Sequence, residues 1–291
     1  MSSCESRKLS DDYEVVDVLG RGGFSVVRRG VRRLNGSRKH VAIKTLKRLV
    51  FTPPVMSRGF PGQKPPTWKQ VSISDALLTN EILVMRKIVE DVSPHPNVIH
   101  LYDVYEDMYG VHLVLELCSG GELFDRIVAH ERYSEVEAAE VVRQIAWGLG
   151  ALHRANIVHR DLKPENCLFL DSGEHSSLKI MDFGLSSVED FTDPIVALFG
   201  SIDYVSPEAL SQRQVPPFHA TSTTDKQHRI LAGDFSFEEH TWKTITSSAK
   251  DLISSLLAVE PYRRPTAADL LKHPWVVGDC KTGTHGRRSC F

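Results

Sequence analysis

The chain has 291 residues, 25% of them charged and 41% hydrophobic, with a formal net charge of −2. This length supports one or two lobes with real cores, and so ordinary a composition excludes wholesale disorder. The near-neutral balance gives no global attraction to nucleic acid or to an anionic membrane.

The five cysteines, at 4, 118, 167, 280 and 290, form no paired spacing and read as reduced thiols. No apolar run approaches the roughly 18 residues needed to cross a bilayer. The polar start Met1-Ser2-Ser3-Cys4 is no signal peptide, Ser2 excludes myristoylation, and Ser289-Cys290-Phe291 is not a prenylation box. The expectation is a soluble intracellular protein without internal repeats.

After a tail over 1–12, residues 13–19, 25–32 and 39–46 alternate apolar and polar between turn residues and read as strands. Between the first two lies Gly20-Arg21-Gly22-Gly23-Phe24-Ser25. Glycines there let the backbone close over phosphates and aim its N–H groups at them, although a plain hairpin turn has the same composition. Residues 48–71 hold prolines at 53, 54, 61, 65 and 66, which predicts a flexible insertion. Apolar residues at 78, 82, 85 and 89 mark one face of a helix over 74–89, with Glu81 beside the stripe.

Residues 111–115 read as a further strand, and Ser134-x-x-Glu137 is a capping box. It opens a helix with apolar residues at 138, 141, 145, 149 and 152. That helix delivers the chain into His159-Arg160-Asp161-Leu162-Lys163-Pro164-Glu165-Asn166, an acid, an ammonium and an amide within one loop. Asp182-Phe183-Gly184 follows sixteen residues later. Helices are predicted near 225–231, 249–259 and 267–272, ahead of Pro274-Trp275.

This ordered set, with Val41-Ala42-Ile43-Lys44 on the third strand, resembles the catalytic domain of Ser/Thr protein kinases. The resemblance implies an α+β, bilobal fold: an antiparallel-sheet N-lobe over 13–117, a mainly helical C-lobe over 118–278 and a tail over 279–291. It implies ATP and Mg²⁺. Asp161 is then the acceptor of the substrate hydroxyl proton, and Lys163 reaches the γ-phosphate. Lys44 contacts phosphates and pairs with Glu81. Asn166 and Asp182 are the Mg²⁺ ligands, both hard oxygen donors as that ion requires. His159 reads as a structural hydrogen-bonding residue.

In the nucleotide site the resemblance places Leu19, Gly20, Arg21, Gly22, Gly23, Phe24, Ser25, Val26 and Val27 over the phosphates and base. Ala42 and Leu168 complete a sandwich with Val27, Leu115 guards the pocket behind, and the backbone of Glu116 and Cys118 meets the adenine edge. For the apolar members a plain core role fits the sequence equally well. Glu122 and Glu165 flank the cleft, at the ATP site and where a basic residue upstream of the target hydroxyl would lie. An Arg-x-x-Ser/Thr preference is the expectation. Ser201 touches the catalytic Asp and Lys, Glu208 pairs with Arg264, and Thr241 matches a regulatory phosphorylation site, or is an ordinary surface threonine.

After Ser206-Pro207-Glu208 the pattern breaks. Residues 211–215 lead directly to Pro216-Pro217-Phe218, where kinases place an Asp-x-Trp motif and a long apolar helix, a deletion near 211–216. The chain is therefore expected to lack one central C-lobe helix, whose Asp holds the catalytic-loop backbone. The stretches 116–125 and His273-Pro274-Trp275-Val276 resemble calcium/calmodulin-dependent kinases. Residues 68–78 and 180–190 are similar to the plant calcium- and calmodulin-dependent members that decode nuclear calcium in root symbiosis. Calcium and calmodulin are partners of that family, but residues 280–291 carry neither amphipathic periodicity nor a calcium loop. Two readings stand: a kinase acting on protein Ser/Thr, or a catalytically impaired isoform that binds nucleotide or a partner.

Overall fold

A computed structural model describes residues 7–22, 25–33, 38–47, 49–52, 69–72, 75–129, 133–184, 186–188, 229, 232–237 and 240–278. The short helix α1 (Leu9–Asp12) precedes three antiparallel strands, β1 (Tyr13–Arg21), β2 (Ser25–Arg32) and β3 (His40–Lys47). After the pair β4 (Leu49–Thr52) and β5 (Lys69–Ser72) comes α2 (Asp75–Asp91), followed by β6 (Leu101–Glu106) and β7 (Gly110–Glu116). The main sheet runs β1-β2-β3-β7-β6. Its register aligns Val27 with Lys44 and Lys44 with Leu113, while Ala42 faces Leu115. Because side chains alternate along a strand, these residues share one face of the sheet. Ala42, Leu46, Leu113 and Leu115 pack there against Val84, Met85 and Ile88 of α2. The other face buries Tyr13, Val41, Ile43, Tyr105 and Val114. There the Tyr105 hydroxyl donates to Asp12 at 2.7 Å.

The second lobe is built on α3 (Leu123–Ala129) and α4 (Glu135–Arg154). The capping box is present: the Ser134 hydroxyl accepts from Glu137 N–H at 3.2 Å, and the Glu137 carboxylate accepts from Ser134 N–H at 2.7 Å. Two residues past the end of α4, Asn156 has a φ of 56°, a left-handed conformation that asparagine tolerates. Beyond it lie β8 (Ile157–Val158), β9 (Cys167–Phe169), β10 (Leu178–Ile180) and β11 (Ser187–Val188). A Cβ added at Gly148 would stand 2.8 Å from Asn97 O and from Ile180 Cδ1, so glycine lets α4 lie against β10. The last helices are α5 (Ser247–Leu256), α6 (Ala267–Leu270) and α7 (Pro274–Val277). Glu135 at the start of α4 accepts from the Trp275 indole at 2.8 Å and from the Thr246 hydroxyl at 2.7 Å, tying α5 and α7 to that helix.

The sheet lobe and the helical lobe form the expected α+β bilobal arrangement. The insertion at 48–71 is a correction in part, because its two ends pair as the antiparallel ladder β4–β5. The run Leu49-Val50-Phe51-Thr52 has β-branched and aromatic residues, and the prolines, which remove ladder donors, begin only at 53. The helix expected over 249–259 starts two residues earlier, at Ser247, where the Thr246 hydroxyl accepts from Ala249 N–H. The break at 211–216 lies outside the described residues, as does the helix near 225–231 apart from Arg229.

Candidate active site

Strand β3 presents Lys44 toward α2 with its side chain only 11% exposed. Its ammonium lies 2.8 Å from Glu81 Oε1 and 2.7 Å from Asp182 Oδ1. Burial pulls the Lys44 pKa down, but the charges of Glu81 and Asp182 and their hydrogen bonds outweigh it, and the net shift is upward. Lys44 is therefore a fixed cation at neutral pH. Burial pushes the Asp182 carboxyl up, yet Lys44, the Gly184 N–H and His159 hold it below its ordinary value. Asp182 takes a φ of 66°, and 45% of its side chain stays accessible, so it can reach a cation while paired.

The loop after β8 gathers the other polar groups. Lys163 Nζ sits 2.9 Å from Asp161 Oδ2, and that hydrogen bond, opposed by burial and helped by nearby carboxylates, raises the Lys163 pKa. Asn166 Nδ2 donates to Asp161 O at 2.8 Å and to Asp161 Oδ2 at 3.1 Å. Its amide oxygen has no protein hydrogen bond among the described residues. His159, 2% exposed, faces Met181 O through Nε2 at 3.0 Å and receives Asp161 N–H on Nδ1 at 3.3 Å. These contacts require the tautomer with the proton on Nε2. Burial lowers its pKa, so the ring is neutral. The Ser186 hydroxyl donates to His159 O at 3.0 Å, and Asn80 of α2 donates to Ser186 O at 2.7 Å. Met181 N–H donates to Asn166 O at 3.0 Å. The loop bearing Asp161 is thus clamped to the Asp182 segment and, through Asn80, to α2.

The structure brings Lys44, Glu81 and Asp182 into one cluster, and Asp161, Lys163 and Asn166 into another joined to it through His159 and Met181. Ala42 and Leu115 are buried beside Lys44, with Val27 and Leu168 half-buried. Among the described residues nothing accepts from the Cys118 N–H. Burial, aided by Glu116, pushes the Cys118 thiol up to about 12, so it is no thiolate at neutral pH. Leu19 is 48% exposed at the rim. Gly20 and Arg21 extend β1, and Gly22 N–H donates to Ser25 O at 3.0 Å, closing the turn. Val26 is a correction: its register partner is Thr45, so its side chain is buried on the face opposite Lys44.

Glu165 Oε2 is buried without a hydrogen-bond partner among the described residues. Burial, Asp125 and Glu165 raise the Glu122 pKa. Arg264 donates to Ala258 O at 2.7 Å and Val259 O at 3.3 Å. Its expected partner Glu208 lies outside the described residues, with Ser201, Gly23 and Phe24. Thr241 is on the 3-10 turn His240–Thr244. Sequence reasoning missed Ser186 and Lys179, whose partners are backbone or distant in the chain and leave no local spacing to read.

Asn166 and Asp182 offer two oxygen donors, and Mg²⁺ commonly takes one or two protein ligands and completes its shell with water and phosphate oxygens. The residues fit that ion. They suit no all-protein metal centre: among the described residues no group of three His, Cys, Asp or Glu side chains could hold one. Among the described residues, too, no helix is long and apolar enough to cross a membrane.

The model of the protein kinase domain family matches residues 64–217 and 213–276, two pieces that meet where the sequence pattern breaks. A calcium and calcium/calmodulin-dependent serine/threonine-protein kinase of Lilium longiflorum is 73% identical, covering 96% of this chain and 59% of the relative. Its counterpart in Oryza sativa subsp. japonica is 69% identical over 96% of this chain and 58% of its own length. A calcium/calmodulin-dependent serine/threonine-protein kinase of Malus domestica is 63% identical over 94% of this chain and 74% of its own length. The chain thus spans somewhat over half the length of the first two. The lily match runs over 305 aligned positions against 291 residues here, so that relative carries internal residues this chain lacks. The chain belongs to the protein kinase family, with the plant calcium/calmodulin-dependent serine/threonine kinases as near relatives, and that membership implies ATP and Mg²⁺ as substrate and cofactor.

Proposed function

We propose that this chain binds Mg-ATP between the lobes 13–117 and 118–278, flanked by the tails 1–12 and 279–291, and transfers the γ-phosphoryl group to Ser and Thr hydroxyls of proteins. The observation that carries the reading is the clamp joining Lys44, Glu81 and Asp182 to Asp161, Lys163 and Asn166. Bound Mg²⁺ would neutralise charge on the transferring phosphates. Lys44, fixed by two carboxylates, orients the phosphate chain. Asp161 takes the hydroxyl proton on its carboxylate, while Lys163 beside it stabilises charge spreading over the transferred group. Asn166 and Asp182 hold the cation, and the hinge at Glu116 and Cys118 receives the base.

Glu122 and Glu165 form an acidic edge to this cleft. A buried carboxylate oxygen without a partner and a neighbour of raised pKa are both relieved by an incoming cation, which supports an Arg-x-x-Ser/Thr preference. By family, the setting is plant calcium/calmodulin signalling of the symbiosis type, in the nucleus or cytoplasm, with calcium and calmodulin as partners of the full-length relatives.

The test is phosphotransfer from labelled ATP to a peptide with and without arginine three residues before the serine. The wild-type chain transfers label, Asp161→Asn loses about 100-fold or more, and Glu165→Gln loses the arginine preference. Equal rates for the wild type and Asp161→Asn refute catalysis and leave a nucleotide- or partner-binding protein.

A further inference from the structure

A cavity of about 350 Å³ lies against the hinge, lined by His95, His100, Tyr102, Glu116 and Lys179 among others. On its wall sits a charged pair that the reaction does not use. Lys179 of β10 has a side chain 7% exposed; its Nζ donates to His95 O at 3.3 Å and lies 2.8 Å from Glu116 Oε2, an ion pair without hydrogen-bond geometry. Glu116 opens the hinge, and its side chain is 19% exposed. A buried ion pair contributes little net stability compared with a well-packed apolar pair of the same size, so its worth lies in fixing geometry.

The geometry here joins three segments at one point. Glu116 N–H donates to His100 O at 2.9 Å, and Ile99 N–H to Ile180 O at 3.0 Å. Ile180 N–H donates to Asn97 O at 2.9 Å, which ties the loop at 95–100 to the strand that carries Lys179. Across β9–β10, Lys179 is the register partner of Leu168, the expected floor of the adenine pocket. The backbone of the loop and of β10 is thus held by its own hydrogen bonds. The hinge is anchored at its far end by Ser119 N–H and Gly120 N–H, which donate to Leu170 O and Phe169 O at 2.9 Å, and at Glu116 the lysine holds the side chain.

We propose that Lys179 is a positioning residue for the nucleotide: through the Glu116 carboxylate and the His95 carbonyl it fixes the hinge backbone at 116–118 that receives the adenine edge. The proposal rests on the nucleotide-binding reading above. It assigns Lys179 to the base and not to the phosphates, and that separates it from Lys44.

Titration calorimetry of the purified chain with adenosine and with Mg-ATP tests it. Lys179→Met weakens both ligands by the same factor, about tenfold, whereas Lys44→Met weakens Mg-ATP and spares adenosine. Lys179→Arg, which keeps the charge and the reach, stays within about twofold of wild type. Should Lys179→Met fail to melt cooperatively, the double variant Glu116→Met/Lys179→Met removes the stranded carboxylate and restores packing, and it too binds adenosine about tenfold more weakly. A folded variant with unchanged adenosine affinity overturns the proposal, whatever its melting temperature. A wild-type chain that binds neither ligand refutes the nucleotide-binding reading itself, and the proposal with it.

Discussion

Two lysines of the cleft differ in setting, and the difference is measurable. Lys44 is buried between Glu81 and Asp182, while Lys163 keeps 24% of its side chain exposed beside Asp161. Removing Lys44 strands the buried Glu81, so Lys44→Met should cost about 3 kcal/mol of folding stability, against under about 1 kcal/mol for Lys163→Met. Urea unfolding of the two variants checks the order, and equal losses contradict it. His159 gives a pH signature. Its folded pKa is depressed by burial, so the stabilisation is complete above the unfolded value near 6.5 and is lost as pH falls toward the folded pKa. Within that window the wild-type stability should drop by up to about 1.4 kcal/mol per pH unit from this one group. His159→Gln should flatten the fall between pH 7 and 5.5 in a thermal-melt series, and an unchanged slope contradicts the assignment.

At the scale of elements, local chemistry was legible and long-range satisfaction was not. The capping box at Ser134 and Glu137 reads from spacing alone, and Ser134→Ala should cost about 1 kcal/mol. Gly148 shows the opposite case. Nothing in the sequence marks it as a close approach, yet a methyl group there meets Asn97 O and Ile180 Cδ1 at 2.8 Å. Gly148→Ala should therefore destabilise by about 1–3 kcal/mol despite alanine's higher helix propensity, and a stabilised variant in denaturant titration contradicts the packing. The insertion misled because prolines dominate its composition, while its proline-free ends pair as β4 and β5. The sequence neighbours of Val26 suggest a place with the nucleotide, but the period of two in a strand turns its side chain to the other face. Ser186 and Lys179 leave no local signal, because bonds between distant segments have no sequence period.

For the whole molecule, the motifs at 159–166 and 182–184 carried the family and the fold, because few other chemistries need an acid, an ammonium, an amide and a second acid in that order. The family model matches in two pieces, 64–217 and 213–276, and the lily relative has residues with no counterpart here. The central claim is that the cleft assembles from α2, β3, β9, β10 and the Asp161 loop. Those contacts are all made within residues 40–188. Thermal melting of the purified chain with and without Mg-ATP tests this most directly. One cooperative transition is expected, rising with Mg-ATP by an amount equivalent to about 2.7 kcal/mol at a hundredfold excess over Kd, with the rise largely abolished in Lys44→Met. A melt that is not cooperative, or one indifferent to Mg-ATP, would contradict it.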